Sequence, residues 1–575
     1  MKSENRSQSK QGKKSEPVEL TGSEILVQAL IDEGVDTIFG YPGGAVIGIY
    51  DVFYRTPKIK HILVRHEQGA THAADGYARV TGKPGVVMVT SGPGATNTVT
   101  GISNAHMDSI PIVVFTGQVP SPMIGNDAFQ EADIIGITRP ITKHSYLVKD
   151  VNQLARIVHE AFHIATTGRP GPVLIDLPKD ILVNKTSYKK ITQLDIRGYS
   201  PTYKGHAQQI TKAANMINNA IRPLIYAGGG VISGNAAEEL RELAIKGNIP
   251  VTTTLLGLGA FPEDSPLSLG MLGMHGTWYA NMAITECDVL LAIGARFDDR
   301  ITGKLETFSK KSKKIHIDID PSCIAKNVPV NIPIVGHAKE TLPQLTARIH
   351  KLENKEWLET IAQWKKEHPL KYKMSDQVIL PQYVVEKIAE VSKRKAIVVT
   401  DVGQNQMWSA QFYGFRHPRT LLSSGGLGTM GYGLPAAIGA SIGKPDQIVF
   451  CITGDGGFQM NIQELATAVK YKVPVKVALL NNGYLGMVRQ WQELFFGARY
   501  SATVLKDGNP DFIKVVEGFG GIGIRVVDPK DVVPALKESL KIKDKPVVME
   551  FMVAPEEKVF PMVPAGASLF EMLEE

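Results

Sequence analysis

The sequence has 575 residues, of which 43% are hydrophobic and 21% are charged. This length is too great for a single hydrophobic core and predicts roughly three or four domains. Lys and Arg outnumber Asp and Glu by 63 to 57, and the resulting net charge of +6 is too diffuse to indicate a nucleic-acid partner. No apolar run approaches the ~18 residues of a membrane-spanning helix, so we expect no membrane segment.

The first residues are rich in Lys, Ser, Gln and Glu and have almost no apolar content. We therefore predict that 1–20 form a disordered tail. A transit peptide is the alternative, but the segment contains three glutamates and lacks an amphipathic pattern. The three cysteines of the chain show no metal-binding spacing, and Cys451 lies inside a predicted core strand. A reducing cytoplasm is the expected location.

The first predicted domain, 21–183, alternates strands and helices. Thr21 and Glu24 form a capping box before a helix at 24–33. Short apolar strands are predicted at 37–39, 62–64, 86–90 and 112–116. Ligands of such doubly wound domains bind beyond the carboxyl ends of the strands. Glu67 lies at such an end, although a helix-start glutamate stabilised by the helix dipole is the more ordinary explanation.

A polar linker at 184–205 leads to a second predicted domain, 206–345. A strand there ends in three glycines at 228–230, which could cradle a dinucleotide pyrophosphate. A plain tight turn is an equally good explanation, because Ser233 stands where a strict GxGxxG motif has its last glycine. Further strands are predicted at 289–293 and 315–319, and the first of them leads into the sequence Gly-Ala-Arg-Phe-Asp-Asp-Arg.

A charged helical linker, 346–380, precedes the third predicted domain, 381–553. Strands at 448–453 and 475–480 run into Gly-Asp-Gly-Gly and Asn-Asn-Gly. A right-handed crossover between them places Asp455 beside Asn482. Magnesium prefers hard oxygen ligands and usually keeps phosphate oxygens among them, and glycines let a diphosphate approach the backbone. Asp-Gly alone is more often a plain turn, but both motifs together predict a magnesium-diphosphate site.

These two motifs at successive strand ends resemble those of the thiamine diphosphate enzymes. The resemblance implies that Asp455, Asn482 and the main-chain carbonyl of Tyr484 bind Mg²⁺. It also implies that Glu67 hydrogen-bonds the aminopyrimidine ring of the cofactor and promotes its activation by proton transfer. Glyoxylate carboligase belongs to the same class but lacks this glutamate, so Glu67 argues against that activity.

Other stretches narrow the resemblance to the catalytic subunits of acetohydroxyacid synthase, also called acetolactate synthase. They are 117–120, 128–131, 168–172, 178–180, 273–276 and 294–300. The likeness covers almost all of 20–575. It implies that Phe129, Gln130 and Lys179 line the active-site entrance, whereas residue type alone suggests that Phe129 is core and Lys179 is a surface charge. It also implies that the planar fork of Arg300 binds the substrate carboxylate, with Met274 packed near it.

The same resemblance implies contacts to two cofactors. The FAD contacts are Arg169, Gly228, Gly229, Gly230, Gly294, Arg296, Asp298 and Asp318. The thiamine contacts besides Glu67 are Gly403, Gln404, Met430, Gly454, Gly456, Gly457 and Met487. Met430 would prop the cofactor in a bent shape, or it is core filler. Trp491 would wall the second-substrate pocket, or it is the buried tryptophan of an amphipathic helix. His337 and Asn405 depart from the family pattern and leave one adenosine contact and one cofactor contact open.

We therefore expect an α/β chain of three doubly wound parallel-sheet domains, which bind the thiamine pyrimidine, FAD and the diphosphate in that order, followed by a C-terminal lid at 554–575. The resemblance implies condensation of pyruvate with pyruvate or 2-ketobutyrate, giving 2-acetolactate or 2-aceto-2-hydroxybutyrate for branched-chain amino acid synthesis. One thiamine must touch both the first and the third domain, which come from two subunits in the relatives, so we expect a homodimer or homotetramer. A separate small regulatory subunit is implied by the resemblance alone.

Three alternatives remain open at this stage. Pyruvate oxidase also combines thiamine and FAD, but it consumes oxygen or a quinone. Catabolic acetolactate synthase binds no flavin and lacks the stretch at 294–300. A catalytically silent scaffold could keep the same fold, and the intact Glu67, Asp455 and Asn482 argue against it.

Overall fold

The computed structural model describes residues 19–574. Its first domain is built on a six-stranded sheet in which every neighbouring pair is parallel. The strands, in spatial order, are Lys60–Leu63, Thr37–Tyr41, Gly85–Val89, Ile112–Gln118, Val173–Pro178 and His144–Leu147. The helices are Gly22–Asp32, Ile47–Arg55, Glu67–Thr81, Pro93–Thr96, Val99–Asp108, Ile134–Thr138, Val151–Thr166 and Lys179–Val183.

The middle domain has a second six-stranded parallel sheet. Its strands, in spatial order, are Ser268–Met271, Val251–Thr253, Pro223–Ala227, Val289–Ile293, Lys313–Asp318 and Ile332–Val335. Its helices are Ala207–Asn218, Gly229–Ser233, Ala237–Gly247, Trp278–Glu286, Asp299–Thr302 and Ala338–Thr346.

The last domain repeats the architecture with a third parallel sheet. Its strands, in spatial order, are Leu421–Leu422, Ile397–Thr400, Val449–Gly454, Lys476–Asn481, Val547–Met552 and Ile522–Val526. Its helices are Pro381–Val391, Gln404–Phe412, Gly433–Gly443, Asp455–Met460, Leu465–Lys470, Gly486–Phe495, Phe512–Gly518 and Val532–Ser539. The predicted α/β fold of three parallel-sheet domains is confirmed.

The strands are apolar on both faces because helices cover both sides of each sheet. In Gly85–Val89, for example, Val86 and Met88 pack into one core cluster, while Val87 and Val89 pack into the cluster on the other face. Parallel strands buried in this way need crossover connections, which are mostly helices here. None of the helices within 19–574 is long and apolar enough to span a membrane.

The capping box at the start of the first domain is present. The Thr21 hydroxyl accepts from the Glu24 amide, and the Glu24 carboxylate accepts from the Thr21 amide. The predicted tail is too long, however, because the strand Glu19–Thr21 pairs antiparallel with Lys185–Ser187. The predicted linker at 184–205 therefore begins inside a small two-stranded sheet of the first domain. The tail residues 1–18 lie outside the described residues.

The segment predicted as a charged linker, 346–380, is in part a folded element of the middle domain. Its helix Lys355–Glu367 buries Trp357 in the middle-domain core, where the indole N–H donates to the Pro223 carbonyl at 3.0 Å. The sequence did not indicate this contact, because most residues of the helix are polar and only one face is apolar. The described part of the predicted C-terminal lid, 554–574, also reaches this domain, since Val563 and Leu569 belong to the same core cluster.

Candidate active site

Two strand ends of the third sheet bring the predicted metal ligands together. The strands Val449–Gly454 and Lys476–Asn481 are parallel neighbours, with Gly454 opposite Leu480. Asp455 and Asn482 are the first residues after these two strands, and they therefore leave the sheet at the same edge. They line a small cavity of about 70 Å³ together with the predicted cofactor and metal residues Gly403, Gln404, Met430, Gly454, Gly456, Gly457, Tyr484 and Met487.

The two carboxylate oxygens of Asp455 have different surroundings. Oδ2 accepts from the Asn509 side-chain amide at 2.7 Å, whereas Oδ1 is buried with no hydrogen-bond partner anywhere in 19–574. Burial raises the pKa of Asp455 above its ordinary value. A buried carboxylate oxygen without a partner is costly unless a cation satisfies it. This geometry fits a hard divalent ion beside Asp455.

Asn482 and Tyr484 complete an oxygen-rich edge. The Asn482 side-chain carbonyl accepts from the Tyr484 amide at 3.0 Å, and its second lone pair is left for another partner. Within 19–574, no group of three His, Cys, Asp or Glu side chains could hold a metal ion. A metal at this edge would therefore use one carboxylate with amide and main-chain oxygens, as magnesium bound to a diphosphate does.

Asn509 and Asp401 are two side chains that support this edge of the sheet and that the sequence did not indicate. Asn509 fixes Asp455 and itself accepts from Gln459 at 2.9 Å. Asp401 is buried after the strand Ile397–Thr400, and its carboxylate accepts from the amides of Val402, Gly431 and Gly433 at 2.8 to 3.0 Å. It thereby ties the chain that follows the strand Ile397–Thr400 to the backbone at 431–433. Each side chain has partners at least 30 positions away in the sequence, so motif spacing gives no signal for it.

A larger cavity of about 770 Å³ lies where the three domains meet. That size suits a large organic ligand. The predicted site residues in its wall are Arg169, Gly229, Gly230, Met274, Gly294, Arg296, Asp298, Arg300, Asp318, Gly403, Met430, Met487 and Trp491. Gly403, Met430 and Met487 also line the small cavity, so the two spaces adjoin at these residues. Gly228 does not line either one.

The glycine turns of the middle domain explain the shape of this cavity. A Cβ added at Gly228 would lie 2.2 Å from the Gly294 carbonyl oxygen, and Gly294 itself has a φ of +56°. Both positions therefore require glycine. Gly228 shapes the turn by close packing rather than by facing the cavity. The open backbone of Gly229 and Gly230 at a strand end fits the pyrophosphate of a dinucleotide.

Charged side chains surround the same space. Arg169 donates to the Ser109 hydroxyl at 2.8 Å and to the Asp320 carboxylate at 3.2 Å. Asp298 accepts from the Arg300 amide at 3.1 Å, and burial raises its pKa. Burial likewise raises the pKa of Asp318 to about 6. His337, which differs from the residue common in the family at this position, also lies in the cavity wall. This combination of glycine turns, arginines and buried carboxyls fits FAD.

Three predicted substrate residues, Arg300, Met274 and Trp491, line the large cavity. Arg300 has a side chain that is 63% exposed and lies 3.7 Å from Asp299, a weak ion pair that a substrate carboxylate could replace. Met274 is fixed through its backbone, which donates to the Arg300 carbonyl and accepts from the Val563 amide, both at 2.8 Å. Trp491 is half-buried in the helix Gly486–Phe495 and is not a core residue.

Four predicted residues of the first domain do not line either cavity of the single chain. Glu67 begins its helix and accepts from the Asn97 side-chain amide at 2.9 Å. Gln130 and Lys179 are exposed, and Phe129 is 87% exposed. The core interpretation of Phe129 is therefore wrong. In the single chain these residues therefore share neither cavity with Asp455.

Comparison with known proteins places the chain in a family. Three thiamine pyrophosphate enzyme models match it in order: the N-terminal TPP binding domain at 20–137, the central domain at 210–345 and the C-terminal TPP binding domain at 401–551. An acetolactate synthase of Mycobacterium bovis is 50% identical over 560 residues, covering 96% of this chain and 91% of that protein. The chain belongs to the acetolactate synthase large-subunit family.

Two large subunits from other organisms have the same identity to this chain. The acetolactate synthase large subunit of Buchnera aphidicola subsp. Acyrthosiphon pisum is 50% identical over 561 residues, covering 96% of this chain and 98% of that subunit. A probable acetolactate synthase large subunit of Methanocaldococcus jannaschii is 50% identical over 567 residues, covering 96% and 95%. All three thiamine domains are present, so this family member is a thiamine diphosphate-dependent enzyme.

Proposed function

We propose that the protein is the catalytic subunit of an acetolactate synthase. It would decarboxylate pyruvate and join the remaining two-carbon unit to pyruvate or 2-ketobutyrate, giving 2-acetolactate or 2-aceto-2-hydroxybutyrate for valine, leucine and isoleucine synthesis. The observation that carries this proposal is the buried Asp455 oxygen without a partner at the strand edge, in a chain of which 96% aligns with acetolactate synthases at 50% identity.

Asp455, Asn482 and the Tyr484 carbonyl would hold Mg²⁺, and Gly454, Gly456 and Gly457 would bind the diphosphate. Bound thiamine diphosphate supplies a nucleophilic carbon and an electron sink for the loss of CO₂. Glu67 would hold and lend a proton at the aminopyrimidine ring. Further contacts to this cofactor would come from Gly403, Gln404, Met430 and Met487.

The large cavity supports an FAD site in the middle domain. The residues that would hold FAD are Arg169, Gly229, Gly230, Gly294, Arg296, Asp298 and Asp318, with Gly228 shaping the turn. Because the ketoacid condensation has no net oxidation or reduction, the flavin would serve a structural role. Its oxidation state would not change during turnover.

Arg300 would bind the carboxylate of a 2-ketoacid, and Met274 and Trp491 would form apolar walls beside it. Phe129, Gln130 and Lys179 would complete the entrance from the first domain of a second subunit. We therefore propose a homodimer or homotetramer, which would work with a small regulatory subunit in the cytoplasm. The three buried free cysteines are consistent with a reducing compartment.

Purification with Mg²⁺ and thiamine diphosphate tests the function. We expect a flavin absorbance spectrum and acetolactate formation from pyruvate without oxygen uptake. Oxygen-dependent pyruvate consumption would indicate pyruvate oxidase chemistry, and acetolactate formation without flavin would indicate the catabolic class. Absence of any pyruvate turnover would favour a silent scaffold.

The Glu67→Gln variant tests the catalytic assignment within this function. Loss of a general acid and base costs ~10²-fold in turnover or more, and we expect this loss with thiamine diphosphate still bound. Glu356 is a matched control, because it is also a first-turn glutamate but lies exposed on the helix Lys355–Glu367. If Glu67 only stabilises its helix, both variants will retain near-normal acetolactate formation.

A further inference from the structure

Glu464 joins the third domain to the first at the residues next to Glu67. It ends a short turn that follows the helix Asp455–Met460, and it is only 1% exposed. Its Oε1 accepts from the main-chain amides of Arg65 at 2.9 Å and His66 at 3.0 Å. Its Oε2 accepts from the Thr467 hydroxyl at 2.6 Å. A buried carboxylate of one domain therefore binds two backbone donors of the other.

These two donors immediately precede Glu67. His66 is the N-cap of the helix Glu67–Thr81, with extended backbone angles, and its ring accepts from the Gln68 amide. Backbone donors at a helix start have no partner within the helix, and a carboxylate there is favoured by their partial positive charge. The Glu464 carboxylate thus fixes the direction in which the chain enters the helix at Glu67.

The fit between the two domains depends on a glycine. A Cβ added at Gly69 would lie 2.5 Å from Glu464 Oε1. Any larger residue at Gly69 would therefore push the carboxylate away from the two amides. A second contact supports the same segment, because the Tyr471 hydroxyl accepts from the Leu63 amide at 2.8 Å. The strand end and the helix start on both sides of 64–66 are thus held by 464–471.

We propose that Glu464 is a positioning residue for Glu67. By holding the Arg65 and His66 amides, it sets the place of the Glu67 carboxylate, while Asn97 orients that carboxylate from the other side. This inference rests on the proposed role of Glu67 in cofactor activation. The short turn that follows the helix Asp455–Met460 then determines the position of Glu67 in the first domain.

The length of the Glu464 side chain, which lets its oxygen reach the Arg65 and His66 amides, matters more for this role than its charge. A glutamine at 464 keeps one carbonyl oxygen at the same reach and can still accept from both amides, whereas an aspartate keeps the charge but is one methylene shorter. A misplacement of about 1 Å in a catalytic group can cost roughly 10²-fold in rate. Glu464→Gln should therefore perform better than Glu464→Asp, opposite to the order that charge alone would give.

The experiment measures exchange of the thiazolium C2 proton for deuterium in the holoenzyme with Mg²⁺, thiamine diphosphate and flavin. We expect Glu464→Asp to slow exchange by about 10-fold or more, and Glu464→Gln to stay close to wild type. Thr467→Val is the control, because it removes the Oε2 partner and a long 3.4 Å contact to the Leu63 carbonyl but leaves both amide bonds of Oε1 in place. It should leave exchange close to wild type. Flavin absorbance and thermal midpoint, measured on the same samples, report purely structural damage.

Gly69→Ala provides a second variant that does not alter the carboxylate and favours the helix by propensity. It should also slow exchange, because its methyl group displaces Glu464. Normal exchange in either Gly69→Ala or Glu464→Asp would overturn the inference, as would an equal loss in Glu464→Gln. Failure of the proposed function looks different, since the wild type would then form no acetolactate or Glu67→Gln would exchange normally.

Discussion

At the scale of single residues, the proposed metal site depends on the different surroundings of the two carboxylate oxygens of Asp455. Asn509 occupies Oδ2 of Asp455 and leaves Oδ1 buried without a partner in the described chain. The side-chain amide of Asn509 therefore orients the Asp455 carboxylate and provides a hydrogen bond to one of its two oxygens. Only one oxygen remains for a cation, which suits an ion that takes its other ligands from phosphate, amide and main-chain oxygens.

Trp491 is the residue whose replacement should change the choice of second substrate. It lies in the cavity wall, and 2-ketobutyrate exceeds pyruvate by one methylene, which an apolar pocket can recognise with roughly 1–3 kcal/mol. We expect Trp491→Leu to keep pyruvate condensation but to lose most of the preference for 2-ketobutyrate. Competition between the two ketoacids, read as the ratio of acetohydroxybutyrate to acetolactate, measures the effect.

Trp357 is a matched control for this experiment, since it is a tryptophan with only 2% exposure in the middle-domain core. Trp357→Leu should lower the thermal midpoint through loss of core packing and leave the product ratio unchanged. If Trp491→Leu behaves in the same way, Trp491 is a packing residue and the assignment of the second-substrate wall is wrong.

At the scale of elements, the first and third domains meet through two helices that contain glycine. Helix Glu67–Thr81 packs against Gly433–Gly443 so closely that a Cβ at Gly76 would lie 2.1 Å from the Ala436 carbonyl oxygen. On the opposing helix, a Cβ at Gly439 would lie 1.9 Å from the Ala73 carbonyl oxygen. Absence of side chains at these two positions therefore sets the separation of the domains, and with it the position of the helix that starts at Glu67.

Gly76→Ala should destabilise this contact, although alanine favours an isolated helix. Overpacking of a close interface costs about 1–3 kcal/mol, because the obstructing atoms are backbone and cannot rotate away. We expect a lower thermal midpoint and reduced turnover. Gly518→Ala is the control, since Gly518 also lies in a helix but an added Cβ there meets nothing within 4 Å. Equal midpoints for the two variants would contradict the packing argument.

The elements also show what the sequence could predict. Motifs at strand ends are local, so the neighbouring positions of Asp455 and Asn482 follow from apolar runs and turn residues. The capping box of Thr21 and Glu24 is equally local and is present. The contacts of Glu464, Asn509 and Asp401 are tertiary, because each side chain meets a backbone or carboxylate from another part of the fold. No spacing rule relates such residues to their partners.

At the scale of the whole molecule, the domains are fastened to one another around the large cavity. Arg419 of the third domain donates to the Arg79 carbonyl of the first domain at 2.8 Å and to the Asn235 side chain of the middle domain at 2.8 Å. Such a joint holds the walls of the proposed flavin site together. It does not bring Glu67 into either cavity of its own chain.

Two inactive variants should therefore rescue each other. Glu67→Gln removes the proposed proton-transfer group of the first domain, and Asp455→Ala removes the proposed metal ligand of the third, with FAD still bound in the middle domain. If each site takes Glu67 from one subunit and Asp455 from the other, a mixed dimer contains one site with both defects and one intact site.

Random pairing of equal amounts makes half of the dimers mixed, so co-expression should restore roughly a quarter of wild-type activity in a closed symmetric dimer. Each variant alone, and a single chain carrying both changes, should stay inactive. If one chain instead built a whole site by itself, every site in the mixture would keep one defect and acetolactate formation would not recover. The rescued activity, compared with the mixed-dimer fraction isolated through two different affinity tags, thus decides whether a second copy of the chain completes the site.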